Sequence, residues 1–457
     1  MSTSNSLLTT SSTEKYDPQP APSPLTRLPT LLLSLLPKFL KRHGLKRKHA
    51  LKETAYLDAL RGIAALIVIN HHHLHPSKHA IFGLFTAGKS SVNVFFVISG
   101  FVLSYASLKS ARAREEGKLL NGFAGALFRR WMRLFLPSFV ATFVALVLVR
   151  MGRLPYVARY EFLHQQVWDW MRDCAVLSNP FAGPRGYKIA FNSEFSSRYI
   201  DPLWTIPLEF RGSIVLYAVL VGTCKLRAGM RMAVTILLVV GCYIWSSIFV
   251  ALFLGGMGIA EVNLWRGERE REMGHHLPSS QLQQQEMDSP PSPKSKKERA
   301  GWLTLFVTSL FLLNQPDDFP TTTVHPWPYL RSQVPAHLMK EHDQLAQHFW
   351  LSIGALLFVL CLDNYPALQK PLRWDISQYL GDVSFGVYVM HVLLMWAWWQ
   401  PTMLPFWQRH FGQGDFAWWV VWVLYVGLIL WVGELFSRID KKIVGFGKWL
   451  QGRLFEW

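Results

Sequence analysis

Residues 57–73 read LDALRGIAALIVINHHH, a membrane-length apolar run with Arg61 near one end and three histidines at the other. At about 1.5 Å per residue a helix over this stretch is roughly 25 Å long, close to the hydrocarbon thickness of a bilayer. Arg61 and His72 are eleven residues apart, which returns them to within roughly 20° of the same helix face, about 16 Å apart along the axis. Ionisable groups inside a spanning helix are expensive unless they face a bundle interior or a wet cavity, so the pair points to a functional site. The competing reading is that Arg61 snorkels to the head groups and His72 only ends the run.

The rest of the chain resembles this stretch in composition. Half of its 457 residues are hydrophobic, with 20 Trp and 30 Phe, and only 17% are charged. That profile predicts an all-α, polytopic integral membrane helical bundle. A net charge of +17 would suggest nucleic acid in a soluble chain. Here the Lys and Arg fall between apolar runs, where cytosolic loops collect them, so no nucleic-acid partner is expected; the lipid bilayer is. The four cysteines, Cys174, Cys224, Cys242 and Cys361, offer neither a disulfide framework nor a zinc knuckle.

Residues 1–50 read as a disordered, Ser/Thr/Pro-rich tail that ends in a basic block. Leu31 to Leu40 is apolar but too short to span, and with Lys38, Lys41 and Arg42 beside it suggests a segment lying on the membrane surface. About ten spans follow within 51–436: Leu57 to Leu74, Val92 to Leu108, Leu134 to Val149, Ile206 to Thr223, Met232 to Phe249, Val250 to Leu264, Trp302 to Leu313, Phe349 to Leu362, Tyr379 to Trp399 and Phe416 to Phe436. A charged, Gln/Ser/Pro-rich insertion at 266–300 reads as a solvated loop, and 437–457 as a basic tail. An even number of spans puts both termini in the cytosol. The loop charges agree, with Arg129, Arg130 and Arg133 before span three, Lys225, Arg227 and Arg231 after span four, and Lys441, Lys442 and Lys448 at the end.

This topology assigns depths to the polar residues. Arg61, Arg129, Arg130 and Arg133 fall on the cytosolic side, where guanidinium forks suit phosphate oxygens, although a basic flank is also what any such helix carries. His72, Asn93, Glu209 and His391 fall toward the far side, with Tyr388 one turn before His391. Glu209 follows Pro207 near a helix start, so its carboxylate is expected either at the helix N-terminus or paired with a base such as His72. No metal site is expected: in HHHLH only His71 and His75 have helical ligand spacing, and no H-E-x-x-H occurs. Neither is a serine nucleophile, since Ser99 in ISGF has no base near it in sequence and G-x-S-x-G is absent.

These stretches, in this order, resemble the acyltransferase 3 family of integral membrane transferases. LDALRGIAALIVINHH carries its Arg-x10-His spacing, SVNVFFVISGFVLSY its second-helix signature and FRRWMRLFLP the basic start of its third helix. PLWTIPLEF resembles its Trp-to-Glu motif and LGDVSFGVYVMH its late Ser/Tyr/His helix. The resemblance implies transfer of an acyl group, commonly acetyl, from an acyl-CoA co-substrate to a hydroxyl, with no permanently bound cofactor. Arg61 and His72 carry over as the motif pair and Glu209 as the acidic position, and Asn93 stands where many members have Asp.

On this reading His72 is the general base, oriented by Glu209 or His391, and Arg61 fixes the donor. Arg129, Arg130 and Arg133 hold the CoA phosphates, and Asn93, Trp204 and Tyr388 line the acceptor side. Direct transfer is the simplest chemistry when no activated nucleophile is visible. The expected acceptor is a hydroxyl-bearing small molecule of secondary metabolism, with a cell-surface glycan or lipid as the second choice, and the expected place is the endomembrane or plasma membrane. A transporter of an anionic or lipid-like solute is the rival class, disfavoured by the lack of a repeat between the two halves.

Overall fold

The computed structural model describes residues 35–41, 43–47, 50–73, 83–179, 197–274, 295–317, 319, 321–341, 343–412 and 414–455. The chain divides into two compact units, Met1–Gly44 and Leu45–Trp457. In the first, the described residues include one short 3-10 turn, Lys38–Leu40. Residues 1–34 of the expected tail, with the start of the surface segment, lie outside the described residues, as do His75 and 275–294 of the insertion.

The second unit is helical, with no strand among its described residues. Its principal helices are α1 (Ala55–His73), α2 (Gly88–Arg112), α3 (Glu116–Arg150), α4 (Leu163–Leu177), α5 (Thr205–Thr223), α6 (Ala228–Ile244), α7 (Ile248–Gly274), α8 (Lys296–Leu313), α9 (Asp343–Asn364), α10 (Asp375–Leu394), α11 (Leu404–Phe411) and α12 (Asp415–Leu454). Seven helical stretches, in α2, α3, α5, α7, α9, α10 to α11 and α12, are long and apolar enough to cross a membrane. Each expected span coincides with a helix. Three of those helices, α1, α6 and α8, fall outside the seven.

Local chemistry accounts for these elements. In α1, Leu57, Leu60, Ala64, Ala65, Val68 and Ile69 are buried, a three-and-four spacing that makes one core-facing stripe. Asp58 sits in its first turn, where a carboxylate suits the positive end of the helix. The α7 helix runs past Arg266 to Gly274, and α8 starts at Lys296 with the Ser295 hydroxyl accepting the Glu298 N–H. The described turns of the insertion that adjoin the bundle are therefore helical. So is most of the C-terminal basic segment, because α12 continues to Leu454.

Two glycine crossings set the packing around α1 and α2. A Cβ on Gly100 of α2 would lie 2.1 Å from the Phe253 carbonyl oxygen of α7, and one on Gly256 would lie 2.2 Å from that of Val97. A Cβ on Gly62 of α1 would lie 2.3 Å from the Leu380 carbonyl carbon of α10, and one on Gly381 would lie 2.4 Å from the Asp58 carbonyl oxygen. Small residues let helix backbones touch where lipid offers no hydrophobic drive for association. The second crossing holds α1 and α10 in fixed register, and both carry candidate site residues.

Buried charge ties the helix ends opposite the histidines. Arg231, 2% exposed, donates to both carboxylate oxygens of Glu261 at 2.7 and 3.1 Å, and Arg112 donates to the same carboxylate at 2.8 Å. Nearby, Asp363 accepts the Tyr56 hydroxyl at 3.0 Å and the Asn263 amide at 2.7 Å. These contacts join α1, α2, α6, α7 and α9. A fully partnered network is what makes buried ions tolerable.

Candidate active site

The site is built from α1, α2, α3, α5 and α10. Arg61 of α1, Ser99 of α2, Thr205 and Glu209 of α5, and Ser384 and Tyr388 of α10 line one cavity of about 40 Å³, closed on its apolar side by Val92, Phe95, Phe96, Ile206 and Phe385. A water-sized group needs roughly 10–15 Å³ on this scale, so the cavity has room for about three.

Glu209 is the centre of its polar wall. Its Oε1 accepts the Arg130 Nη2–H at 2.6 Å and the Ser99 hydroxyl at 2.8 Å. Arg130 also donates from Nε to Ser213 Oγ at 3.1 Å, while Ser213 donates to the Glu209 carbonyl at 2.7 Å. The guanidinium is thus used in two directions and held rigidly. Arg61 acts on the same carboxylate electrostatically.

This corrects two sequence expectations. Glu209 is paired with Arg130 and Ser99, and neither with His72 nor with a helix N-terminus. The reason is the length of α3: it starts at Glu116, so Arg130 lies about 21 Å along the helix instead of at its mouth, and meets Glu209 inside the bundle. Ser99, expected to stand without a base, has a carboxylate at hydrogen-bond distance. No local pattern reveals that contact, because the two residues are 110 positions apart in the chain.

The three arginines of the basic run diverge. Arg129, about one turn nearer the start of α3 than Arg133, meets the far end of α12, where it donates to Gln451 Oε1 at 2.5 Å. Arg130 and Arg133 share a face. Arg133 is exposed and has Arg61, Arg130, Asp440 and Glu209 as its charged neighbours. Arg61, Arg130 and Arg133 therefore make one cationic cluster to which Arg129 does not belong.

At the other end of α1 the rings of His72 and His391 lie with centroids 5.3 Å apart. His72 is exposed and His391 is fully buried. His391 Nδ1 is 2.6 Å from the Tyr388 carbonyl, which can only accept, so Nδ1 carries the proton and Nε2 offers a lone pair. That buried Nε2 has no hydrogen-bond partner among the described residues. The Tyr388 hydroxyl donates to the Pro202 carbonyl at 2.6 Å and lies 2.7 Å from Thr205 Oγ1, joining the histidine pair to the cavity wall. His71, beside His72 at 5.3 Å, has its Nδ1 3.0 Å from the Thr86 carbonyl and 3.4 Å from Asp317.

Asn93 and Trp204 lie on the flank of this arrangement. Asn93 is fully buried and its Nδ2 is 2.9 Å from Nδ1 of His348, a histidine that the sequence reading did not single out. Trp204 packs on Phe249, which also packs on Phe96 and His348. The four far-side groups placed at one depth by sequence thus separate into a histidine pair, a buried Asn93–His348 contact, and a carboxylate facing the arginines.

A family model described as an acyltransferase domain matches residues 54–438. Three fungal proteins align over most of the chain. O-acetyltransferase PaAT-1 of Phomopsis amygdali is 29% identical over 79% of this chain and 75% of its own length. Acyltransferase R4 of Phoma sp. (strain ATCC 20986 / MF5453) is 24% identical over 80% of this chain and 85% of its own. Acyltransferase clz18 of Cochliobolus lunatus is 23% identical over 86% and 88%. No solved structure matches. The matched region contains α1 to α10 and all of the cavity and histidine residues described above, and the chain belongs to the acyltransferase 3 family of membrane acyltransferases.

Proposed function

We propose that this acyltransferase moves an acyl group, acetyl in the first instance, from cytosolic acyl-CoA to a hydroxyl of a small molecule, in secondary metabolite biosynthesis. The observation that carries the reading is the polarity of α1. Its Arg61 end faces a cationic cluster and a narrow cavity, and its His72 end faces a second histidine with an unused lone pair.

Arg61 and Arg133 suit the phosphate oxygens of CoA, since a guanidinium donates two parallel bonds to such groups, and Arg130, engaged by Glu209 and Ser213, adds its charge to the cluster. The thioester arm then enters between α1, α2, α5 and α10. A cavity with room for about three water-sized groups favours acetyl, with its two carbons and one oxygen, over a long chain. The acceptor comes from the His72 side, where His72 takes the proton of its hydroxyl as the oxygen attacks the acyl carbon. His391 supports that base through the adjacent ring, and Asn93, Trp204 and Tyr388 shape the acceptor's surroundings.

The membrane arrangement that goes with this reading has ten spans, the seven long apolar helices together with α1, α6 and α8, and both termini in the cytosol. Basic residues at 225–231 and 438–448 support that orientation. The enzyme then works in the endomembrane or plasma membrane. The name of one fungal relative, an O-acetyltransferase, favours acetyl as the group transferred and an oxygen as its acceptor.

The test compares cells expressing the intact chain with cells expressing His72→Ala, both fed labelled acetate, by mass spectrometry of metabolite extracts. The expected result is a labelled ester that only the intact protein makes. If His72→Ala reaches the membrane at the normal level and forms the same ester at the same rate, the assignment of the base is wrong.

A further inference from the structure

The geometry points to Ser99 as a nucleophile that carries the acyl group between donor and acceptor. This rests on the acyl-CoA reading above and replaces its direct transfer with two half-reactions.

Three features support it. A nucleophile is recognised by a base within about 2.6–3.2 Å that is itself oriented by a third group. Ser99 Oγ lies 2.8 Å from Glu209 Oε1, and Glu209 is held by Arg130 at 2.6 Å. Ser99 also lies on the cavity wall, so its hydroxyl faces the space that would receive the acyl group. Finally, it stands midway along α2, eleven residues from the Gly88 end and thirteen from the Arg112 end, between the arginine cluster and the histidine pair.

In the first half-reaction Ser99 Oγ attacks the thioester carbonyl carbon, forming a C–O bond as the C–S bond breaks. The hydroxyl proton passes to Glu209 and from there to the departing thiolate, which leaves as CoA thiol. Arg61, on the same cavity wall, is the cation available to the oxyanion of the tetrahedral intermediate. In the second, the acceptor hydroxyl attacks the acyl-serine carbonyl, His72 takes its proton, and the Ser99 oxygen leaves and regains a proton from that imidazole through the site. The sum is acyl thioester plus alcohol giving ester plus thiol, with Ser99 restored.

The experiment uses the full chain in membranes, with labelled acetyl-CoA and no added acceptor, followed by proteolysis and peptide mass spectrometry. The expected result is one acetyl ester on the peptide containing Ser99, absent from Ser99→Ala; when a metabolite extract of the host is then added as acceptor, the intact chain loses the label and His72→Ala, whose second half-reaction is blocked, retains it. Labelled product in the metabolite extract should fall by on the order of 10²-fold or more in Ser99→Ala. Ser99→Cys is the companion variant, expected to hold the label as a thioester that hydroxylamine releases. If Ser99→Ala makes labelled product at the normal rate, or if the label sits on His72, the serine carrier is overturned and the transferase reading stands. If neither product nor labelled protein forms with any variant in a host where the intact chain is in the membrane, both the carrier and the acyl-CoA reading fail.

Discussion

His391 and Tyr388 are bound by a contact within one helical turn: the imidazole Nδ1 lies 2.6 Å from the Tyr388 carbonyl, which leaves Nε2 buried with its lone pair unused among the described residues, on a ring 5.3 Å from that of His72. A ring fixed in one tautomer by a backbone carbonyl is a ready acceptor for a proton or a hydroxyl. His391→Ala should lower kcat by roughly 10²-fold, within the range for removal of an acid–base partner, and leave KM for acetyl-CoA nearly unchanged. Steady-state kinetics on the two substrates separates these effects. A rise in KM for acetyl-CoA alone would place His391 on the donor side.

The arginine run makes a sharper comparison, because Arg129 and Arg133 are four residues apart and their surroundings differ. Arg129 is engaged by Gln451, and Arg133 is exposed beside Arg61 and Arg130. Arg133→Ala should raise KM for acetyl-CoA about tenfold, the loss of one charge-assisted contact. Arg129→Ala should change it by less than about twofold and instead lower the melting temperature. Competition by CoA lacking the 3′-phosphate, measured on each variant, reports which guanidinium touches that group.

Outside the spans, Asp173 of α4 fastens the segment that leads into α5. It accepts the Ser197 hydroxyl at 2.6 Å and the Arg198 N–H at 2.9 Å. Burial pushes its carboxyl above the ordinary value near 3.8, against the opposing effect of those two hydrogen bonds. The folded chain therefore binds this proton more tightly than the unfolded chain. The stabilisation is complete below the unfolded value and is lost as pH rises through the folded one. Asp173→Asn should remove this pH dependence, so that melting temperatures of the two proteins diverge in favour of the variant between acid and neutral pH. Parallel curves would show that the carboxyl does not titrate with folding.

The α2–α7 crossing depends on the absence of a side chain. Gly100→Ala would put a carbon 2.1 Å from the Phe253 carbonyl oxygen, and backbone cannot yield as a flexible side chain can. The expected cost is about 1–3 kcal/mol, read as a lower melting temperature in detergent. Gly117→Ala, with nothing within 4 Å of the added carbon, is the control expected to behave as the parent.

Much of this architecture was legible in the sequence, for reasons that differ by element. The Leu57–His73 stretch announced its helix, because apolar length and helical period are local properties. Each expected span met a helix for the same reason. The partners of Glu209 were not legible, since depth estimated from helix ends assumed that α3 begins where its apolar run begins. It begins earlier, at Glu116, and this brings Arg130 into the interior. Asn93 and His348 were hidden by another cause: they are 255 residues apart, and no local periodicity reports such a contact. Charge pattern located the basic cluster but not the contact with Gln451, 322 positions away in the chain, that engages Arg129.

The close approach of Gly62 to Leu380 and of Gly381 to Asp58 makes the α1–α10 pair a ruler. Sliding either helix along the other would drive backbone atoms into backbone atoms, so the gap between Arg61 of α1 and His391 of α10 is as fixed as the gap between Arg61 and His72 within α1. If the proposed acyl transfer runs between these groups, chain selection becomes a matter of fixed length. Relatives that handle longer groups would have to differ in the walls contributed by α2 and α5, and could keep this spacing unchanged.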